Sequence, residues 1–177
     1  GLYMIRHTGL AGAPSRLALI VATAAVGFAA GPALSNDKLV ELAKDPANWV
    51  MTGRDYNAQN YSAMTEVNKE TVKRLRPAWS FSTGVLNGHE GTPLVVGDVM
   101  YVHAPFPNTT FALDLNEPGH ILWQNKPKQN PTARAVACCD VVNRGLAYWP
   151  GDSEVEPLIL RTQLDGHIVA LDAKTGE

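Results

Sequence analysis

The sequence lacks the features that mark the commonest enzyme chemistries. His89, His103, His120 and His167 stand singly, without metal-ligand spacing on a shared strand, and the two cysteines form one adjacent pair, so no zinc motif is present. There is no Gly-rich phosphate loop and no Ser-His-Asp arrangement. Charged residues make up only 18% of the chain and the formal net charge is −2, which excludes the strongly basic surface expected of a nucleic-acid partner. No apolar run reaches the roughly 20 residues of a membrane-spanning helix. The longest, from Leu17 to Ala30, is short and rich in Ala and Gly.

Acidic residues are missing altogether from the first 35 positions, where Arg6 and Arg16 are the only charged residues. A positive flank, a short apolar core, the breaker Gly31-Pro32 and the small-residue exit Ala33-Leu34-Ser35 predict a secretory leader, with cleavage before Asn36. Gly1-Leu2-Tyr3 ahead of Met4 reads as an upstream stub. Two domains of description follow: 1–35 as stub plus leader, and 36–177 as the folded part. The latter carries 13 Lys+Arg against 17 Asp+Glu, a formal −4, compatible with a basic protein partner. Export places Cys138 and Cys139 in an oxidising compartment, where a disulfide persists.

What is present is a change of texture along the folded part. Residues 36–49 predict a short helix capped by Asn36 or Asp37 and ended by Pro46. Residues 50–62 are polar and turn-rich, hence a surface loop. Residues 65–75 predict a second short helix with Val67, Val72 and Leu75 on one stripe, and Ala78-Trp79-Ser80-Phe81-Ser82 alternates as a strand. From Thr92 onward, short strands are separated by tight turns: 92–96, 99–103, 110–114 and 121–124. A second cycle follows at 145–149, 157–163 and 167–172.

The cycles are self-similar. Phe111-Ala112-Leu113-Asp114, followed by Gly119 and Trp123, matches Val169-Ala170-Leu171-Asp172, followed by Gly176, at a spacing of 58 residues. The Ala suits crowded strands, the Asp caps the turn, the Gly takes positive φ, and the Trp lies against the neighbouring sheet. The first copy's turn is one residue longer. Four-stranded sheets at such a period predict an all-β propeller, of which this chain supplies the N-terminal helices, about one full blade and most of a second. Two unrelated hairpins in a sandwich are the alternative.

Ala137-Cys138-Cys139-Asp140-Val141-Val142-Asn143-Arg144-Gly145 holds both cysteines. Neighbouring α-carbons lie about 3.8 Å apart across a trans peptide, closer than the roughly 4.4–6.8 Å of ordinary disulfides. A bond between them would close a strained ring. The plain alternative is two small residues that happen to be adjacent. Glu90 and Arg144, taken alone, are equally solvated loop charges.

Four stretches together resemble the quinoprotein alcohol dehydrogenases, in their calcium- and pyrroloquinoline-quinone-dependent branch. They are Asn36–Leu42, Arg76–Trp79, Leu86-Asn87-Gly88-His89-Glu90-Gly91, and Cys138-Cys139-Asp140-Val141-Val142-Asn143-Arg144-Gly145 running on to Asp152. The resemblance covers 36–177, and Val50-Met51-Thr52-Gly53 departs from it slightly. It implies an eight-bladed β-propeller with the quinone in a central funnel. It also implies a vicinal disulfide between Cys138 and Cys139 against one face of the ring, Glu90 at the cofactor's rim, and Arg144 on its polar edge. Trp79 would lie in the strand that closes the last blade. The implied activity is oxidation of methanol and other primary alcohols to aldehydes, with electrons passed to a periplasmic cytochrome c. A small basic second subunit is the implied partner. The catalytic Asp and the ligands of calcium (or of a lanthanide) belong to later parts of such enzymes, so this stretch is expected to supply no catalytic residue. Lanthanide-type or ethanol-type relatives, and a non-catalytic exported binding module, are the other readings.

Overall fold

The computed structural model describes residues 35–137 and 140–177; the predicted leader and the cysteine pair lie outside them. Helix α1 (Asp37–Leu42) starts where the sequence predicts. The Asn36 side chain accepts the Leu39 N–H at 3.1 Å, and Asp37 sits in the first turn, where the helix dipole favours an anion. The helix ends before Pro46. Arg54 finishes it from the following loop, donating from Nη2 to the Ala43 carbonyl at 3.0 Å. That loop is therefore not all surface, since Val50 and Arg54 are buried.

The second predicted helix does not form. Only one 3₁₀ turn, Val72–Arg74, is present between residues 65 and 75. Asn68 Oδ1 accepts the N–H groups of Glu70 and Thr71 at 3.0 and 2.9 Å, and the Thr71 hydroxyl donates to the Glu66 carbonyl at 2.7 Å. Side chains thus satisfy backbone groups that a helix would have used. Val67, Val72 and Leu75 are exposed, so among the described residues nothing covers the stripe that would have stabilised so short a helix. Residues 78–82 are extended but pair with no strand among the described residues. The alternation still holds: Trp79 and Phe81 pack on Ala104, Phe111 and Leu113, and the Phe81 ring meets Phe111 edge-on at 5.1 Å.

The sheets follow the predicted cycles. Strands β1 (Leu94–Val96), β2 (Val99–His103), β3 (Thr110–Asp114) and β4 (Ile121–Asn125) form an antiparallel meander. A short helix, α2 (Ala133–Val136), which the sequence pattern did not predict, follows it. Strands β5 (Ala147–Trp149), β6 (Leu158–Thr162) and β7 (Ile168–Asp172) form a three-stranded second sheet. The β3–β4 pair carries a bulge: Ala112 faces Trp123 and Leu113 faces Ile121, leaving Leu122 without a partner. The apolar core runs from one sheet into the other through Leu94, Tyr101, Ala112, Trp123, Leu146, Ile159 and Leu171.

The repeat motif explains the seam between the sheets. Asp172 Oδ1 accepts the N–H groups of Lys174 and Thr175 at 2.9 and 2.7 Å, shaping the turn that delivers Gly176 at φ +76°. The Thr175 N–H is also the main cause that holds the Asp172 carboxyl below the usual carboxylate range. Trp123 then lies on Gly176, where an added Cβ would come within 2.6 Å of the indole ring. Its indole N–H donates to the Ala173 carbonyl at 3.0 Å, and the Tyr101 hydroxyl donates to the same oxygen at 3.1 Å. Burial, followed by Tyr148 and Asp172, pushes the Tyr101 phenol up to about 12 and keeps it a donor.

Gly176→Ala should therefore cost the full-length protein roughly 2–4 kcal/mol, combining a left-handed backbone with overpacking. Gly166→Ala, at φ +87° but with nothing within 4 Å of its Cβ, should cost only about 1–2 kcal/mol. Chemical unfolding of both variants, with a Gly176→Ala/Trp123→Ala cycle, measures the difference. Equal losses for the two glycines would remove the indole contact from the seam.

Candidate functional site

The loops that carry Glu90 and Arg144 enter their sheets side by side. Thr92, just ahead of β1, and Gly145, just ahead of β5, form a parallel β-bridge. The approach needs two glycines. A Cβ on Gly91 would lie 3.2 Å from the Gly145 Cα and 3.3 Å from the Asn143 carbonyl oxygen, and Gly145 itself sits at φ +125°. Asn143 fixes the second loop: its Oδ1 accepts the Gly145 N–H at 2.9 Å and its Nδ2 donates to the Thr162 carbonyl at 2.9 Å. Asn87 Nδ2 donates across to Asp140 Oδ1 at 3.3 Å. Asp140, at φ +72°, also accepts the Val141 N–H at 2.7 Å.

This backbone contact brings two of the predicted site residues together. Glu90 Oε2 lies 3.8 Å from Arg144 Nη2, with the side chains 50% and 88% exposed. At that distance and exposure the ion pair adds at most about 1 kcal/mol, so the glycine contact, not the charge, sets the geometry. The Arg144 fork has no hydrogen-bond acceptor among the described residues. A shallow hollow lined by Thr52, Asn143, Arg144, Leu160 and Ile168 opens beside it. Cys138 and Cys139, the other two predicted residues, lie outside the described residues, between Ala137 and Asp140.

Sequence reasoning missed a buried polar network behind these loops. Arg161, buried on β6, reaches the first sheet. Its Nη2 donates to Asn125 Oδ1 at 2.8 Å, and its Nη1 donates to Thr110 Oγ1 at 3.1 Å and to the Asn108 carbonyl at 3.3 Å. Asn108, 1% exposed, accepts the Leu164 N–H at 3.2 Å through Oδ1 and places Nδ2 3.3 Å from His103 Nε2. That contact makes His103 Nε2 an acceptor and puts the imidazole proton on Nδ1, 3.1 Å from Thr110 Oγ1. The one sequence signal was a charged residue inside the apolar strand Leu158-Ile159-Leu160-Arg161.

Among the described residues, one group of potential metal ligands gathers: Asp114, Glu117 and His120 in the β3–β4 turn. His120 Nδ1 stands 3.5 Å from Glu117 Oε2 and 3.8 Å from Asp114 Oδ2. The backbone bonds Asp114 N–H to His120 O (3.0 Å) and His120 N–H to Glu117 O (2.9 Å) already close this turn, so the contacts are accounted for as turn chemistry. No helix among the described residues is long and apolar enough to cross a membrane.

Comparison with known proteins finds relatives of the chain. Residues 49–177 match the PQQ family model, described as glucose/ethanol/alcohol dehydrogenase, beta-propeller domain. The chain is 77% identical over 174 residues to methanol dehydrogenase [cytochrome c] subunit 1 of Paracoccus denitrificans, covering 98% of this chain and 28% of that protein. It is 55% identical to the lanthanide-dependent methanol dehydrogenase of Methylacidiphilum fumariolicum, covering 82% of this chain and 23% of that one. A solved europium-containing methanol dehydrogenase superposes with a TM-score of 0.75 at 55% identity, over 80% of this chain and 24% of that one. The chain thus spans about a quarter of the length of these relatives.

Burial, and then the Arg161 charge, lowers the His103 pKa from 6.5 to about 4. The unfolded chain binds a proton at His103 below about pH 6.5 and the folded chain only near pH 4, so folding is unpenalised above pH 6.5. Stability is lost as pH falls between those values, by about 3 kcal/mol in all. His103→Gln should flatten this limb in unfolding curves taken from pH 7 to 4, and an unaltered limb would assign the loss to other groups.

Proposed function

Because the chain belongs to the PQQ-dependent glucose/ethanol/alcohol dehydrogenase family of β-propellers, we propose that it forms the entry wall of the quinone site in an enzyme oxidising methanol and other primary alcohols to aldehydes. The observation that carries this reading is the Thr92–Gly145 bridge, which presents the Arg144 fork beside Glu90 at the mouth of two adjacent blades. An exposed guanidinium with no hydrogen-bond acceptor among the described residues, on a loop fixed by backbone contact, fits a flat ring that bears carboxylates. Bound pyrroloquinoline quinone, with calcium or a lanthanide as Lewis acid, supplies the two-electron acceptor.

This chain's residues bind and orient. Arg144 would hold a carboxylate or oxygen edge of the ring with its guanidinium N–H groups. Glu90 would accept donors at the ring's rim. Cys138 and Cys139, bonded as a vicinal disulfide, would lie against one face of the ring. The close Gly91–Gly145 approach leaves no side chain, and little room for water, between the loops that hold these groups. The general base and the metal ligands are supplied by the rest of the enzyme.

The remaining assignments rest on the same reading. Residues 1–35 are a leader removed on export to the periplasm, and residues 36–177 are the first part of the propeller. The formal −4 of the latter suits a small basic second subunit, and a cytochrome c takes the electrons. The metal is calcium or a lanthanide, and one of the relatives is a lanthanide-dependent enzyme. Metal analysis of the purified holoenzyme separates them.

Arg144→Gln in the full-length apoenzyme should weaken quinone binding roughly 10- to 100-fold, the worth of one or two charge-assisted hydrogen bonds. Arg144→Lys should restore only part, lacking the fork. Fluorescence-quenching titration with the quinone measures both, and wild-type affinity in the Gln variant would sink the assignment.

A further inference from the structure

The loop that carries Arg144 has a neighbour from far upstream. Thr52 lines the same hollow as Arg144 and Gly145, and with Val50 it lines a second hollow against Leu146 and Tyr148. The segment around it also lies along the first sheet. Trp49 donates its N–H to the Val95 carbonyl at 2.8 Å and accepts the Val95 N–H at 3.0 Å, an antiparallel bridge on the edge of β1 that β2 leaves open. One residue earlier, buried Asn48 accepts the Gly97 N–H at 2.8 Å and donates to the Leu42 carbonyl at 3.1 Å.

These contacts put residues 48–52 on the propeller axis. Blades are sheets set around a central channel, and sheets set radially come nearest to each other at the axis. The leading ends of β1 and β5 meet in the Thr92–Gly145 bridge, so these are the inner strands. A segment bonded to the open edge of β1 and facing the start of β5 stands inside the channel. It enters from the end opposite to Glu90 and Arg144, because its other anchors lie past the far ends of the two strands. Asn48 holds Gly97 beyond β1, and Lys38 donates from Nζ to the Gly151 carbonyl beyond β5 at 2.8 Å.

The tip of the segment is tightly built. The Trp49 indole N–H donates to the Thr52 carbonyl at 3.3 Å, and the guanidinium of buried Arg54 lies 5.8 Å from the Trp49 ring centroid. A Cβ on Gly53 would fall 2.5 Å from the Ala58 Cα. Arg54, Ala58 and Asn60 hold φ +75°, +51° and +52°, three of the five non-glycine residues with left-handed backbone among those described. Chains keep such conformations where the surroundings over-determine them, and they gather at functional sites.

We propose that residues 48–53 plug the central funnel below the quinone site, so that the site is a blind pocket entered only from the Glu90–Arg144 side. Thr52, at the tip of the plug, faces that pocket. The proposal rests on the reading that the quinone lies beside Arg144. A channel open at both ends would admit water to the ring from below, and the plug excludes it.

The test places a thiol at the tip in the full-length apoenzyme. Thr52 is exposed and its side chain makes no hydrogen bond among the described residues, so Thr52→Cys removes none. Iodoacetamide should label this thiol through the entrance, with the unsubstituted protein giving the background. Quinone at about ten times its Kd should slow the labelling roughly tenfold, since only the unoccupied fraction is open. Thr52→Trp, which lengthens the tip into the pocket, should weaken quinone binding about tenfold, the order of an overpacking penalty. No labelling of the folded apoenzyme, labelling indifferent to quinone, or wild-type affinity in the Trp variant would each overturn the plug. A Thr52→Cys protein that did not fold would make position 52 part of the packed core and overturn its place at the pocket. Arg144→Gln separates this proposal from the reading beneath it. Wild-type affinity in that variant removes the quinone from Arg144, whereas weakened binding beside quinone-indifferent labelling keeps the site and removes the plug.

Discussion

The fit of the Trp123 indole onto Gly176 is the constraint from which the rest of this structure follows. The ring occupies space that only glycine leaves open, while its N–H is tied to the Ala173 carbonyl. A buried Trp of this kind is typically worth about 3–5 kcal/mol against Ala. Its geometry is as important as its energy. A hydrogen bond at one end of the indole and a backbone contact along its face leave the two sheets a single relative placement. Asn125, which donates from Nδ2 to the Gly176 carbonyl at 2.8 Å, holds the same turn from the next strand position but one.

The polar half of the seam works on different terms. Burying the Arg161 guanidinium is unfavourable, and its pKa is lowered by that burial. Four acceptors on the first sheet and its loops, Asn108 O, Thr110 Oγ1, Asn125 O and Asn125 Oδ1, offset the cost. Such a network adds less to stability than to uniqueness, because a shift of one residue in the sheet pairing would leave several buried groups unpartnered. His103 remains neutral inside it, and its tautomer is set by Asn108.

The proposed site is built on this frame by backbone rather than by charge. Once the sheets are fixed, the segments before β1 and β5 meet as a parallel bridge, and the Gly91–Gly145 contact brings Glu90 and Arg144 to one opening. The exposed pair contributes little to folding. That division suits a family in which the cofactor brings the redox chemistry and the protein brings orientation.

The seven strands and their turns were legible from residue pattern, because alternation, turn-capping Asp and positive-φ Gly act within a few residues of one another. The 58-residue repeat likewise announced that Trp123 would pack on a neighbouring sheet. Residues 65–75 misled the reading, since helical spacing says nothing about whether Asn68 and Thr71 will take the backbone bonds for themselves. The closeness of Glu90 to Arg144, the burial of Arg161 and the bonds of residues 104–109 to Gln129 and Val141 were invisible in the sequence. Each depends on contacts between residues far apart along the chain. Local chemistry chose the elements. Only the packing of one sheet against the next decided which loops would face each other, because that choice is made by shape across the seam and not along the chain.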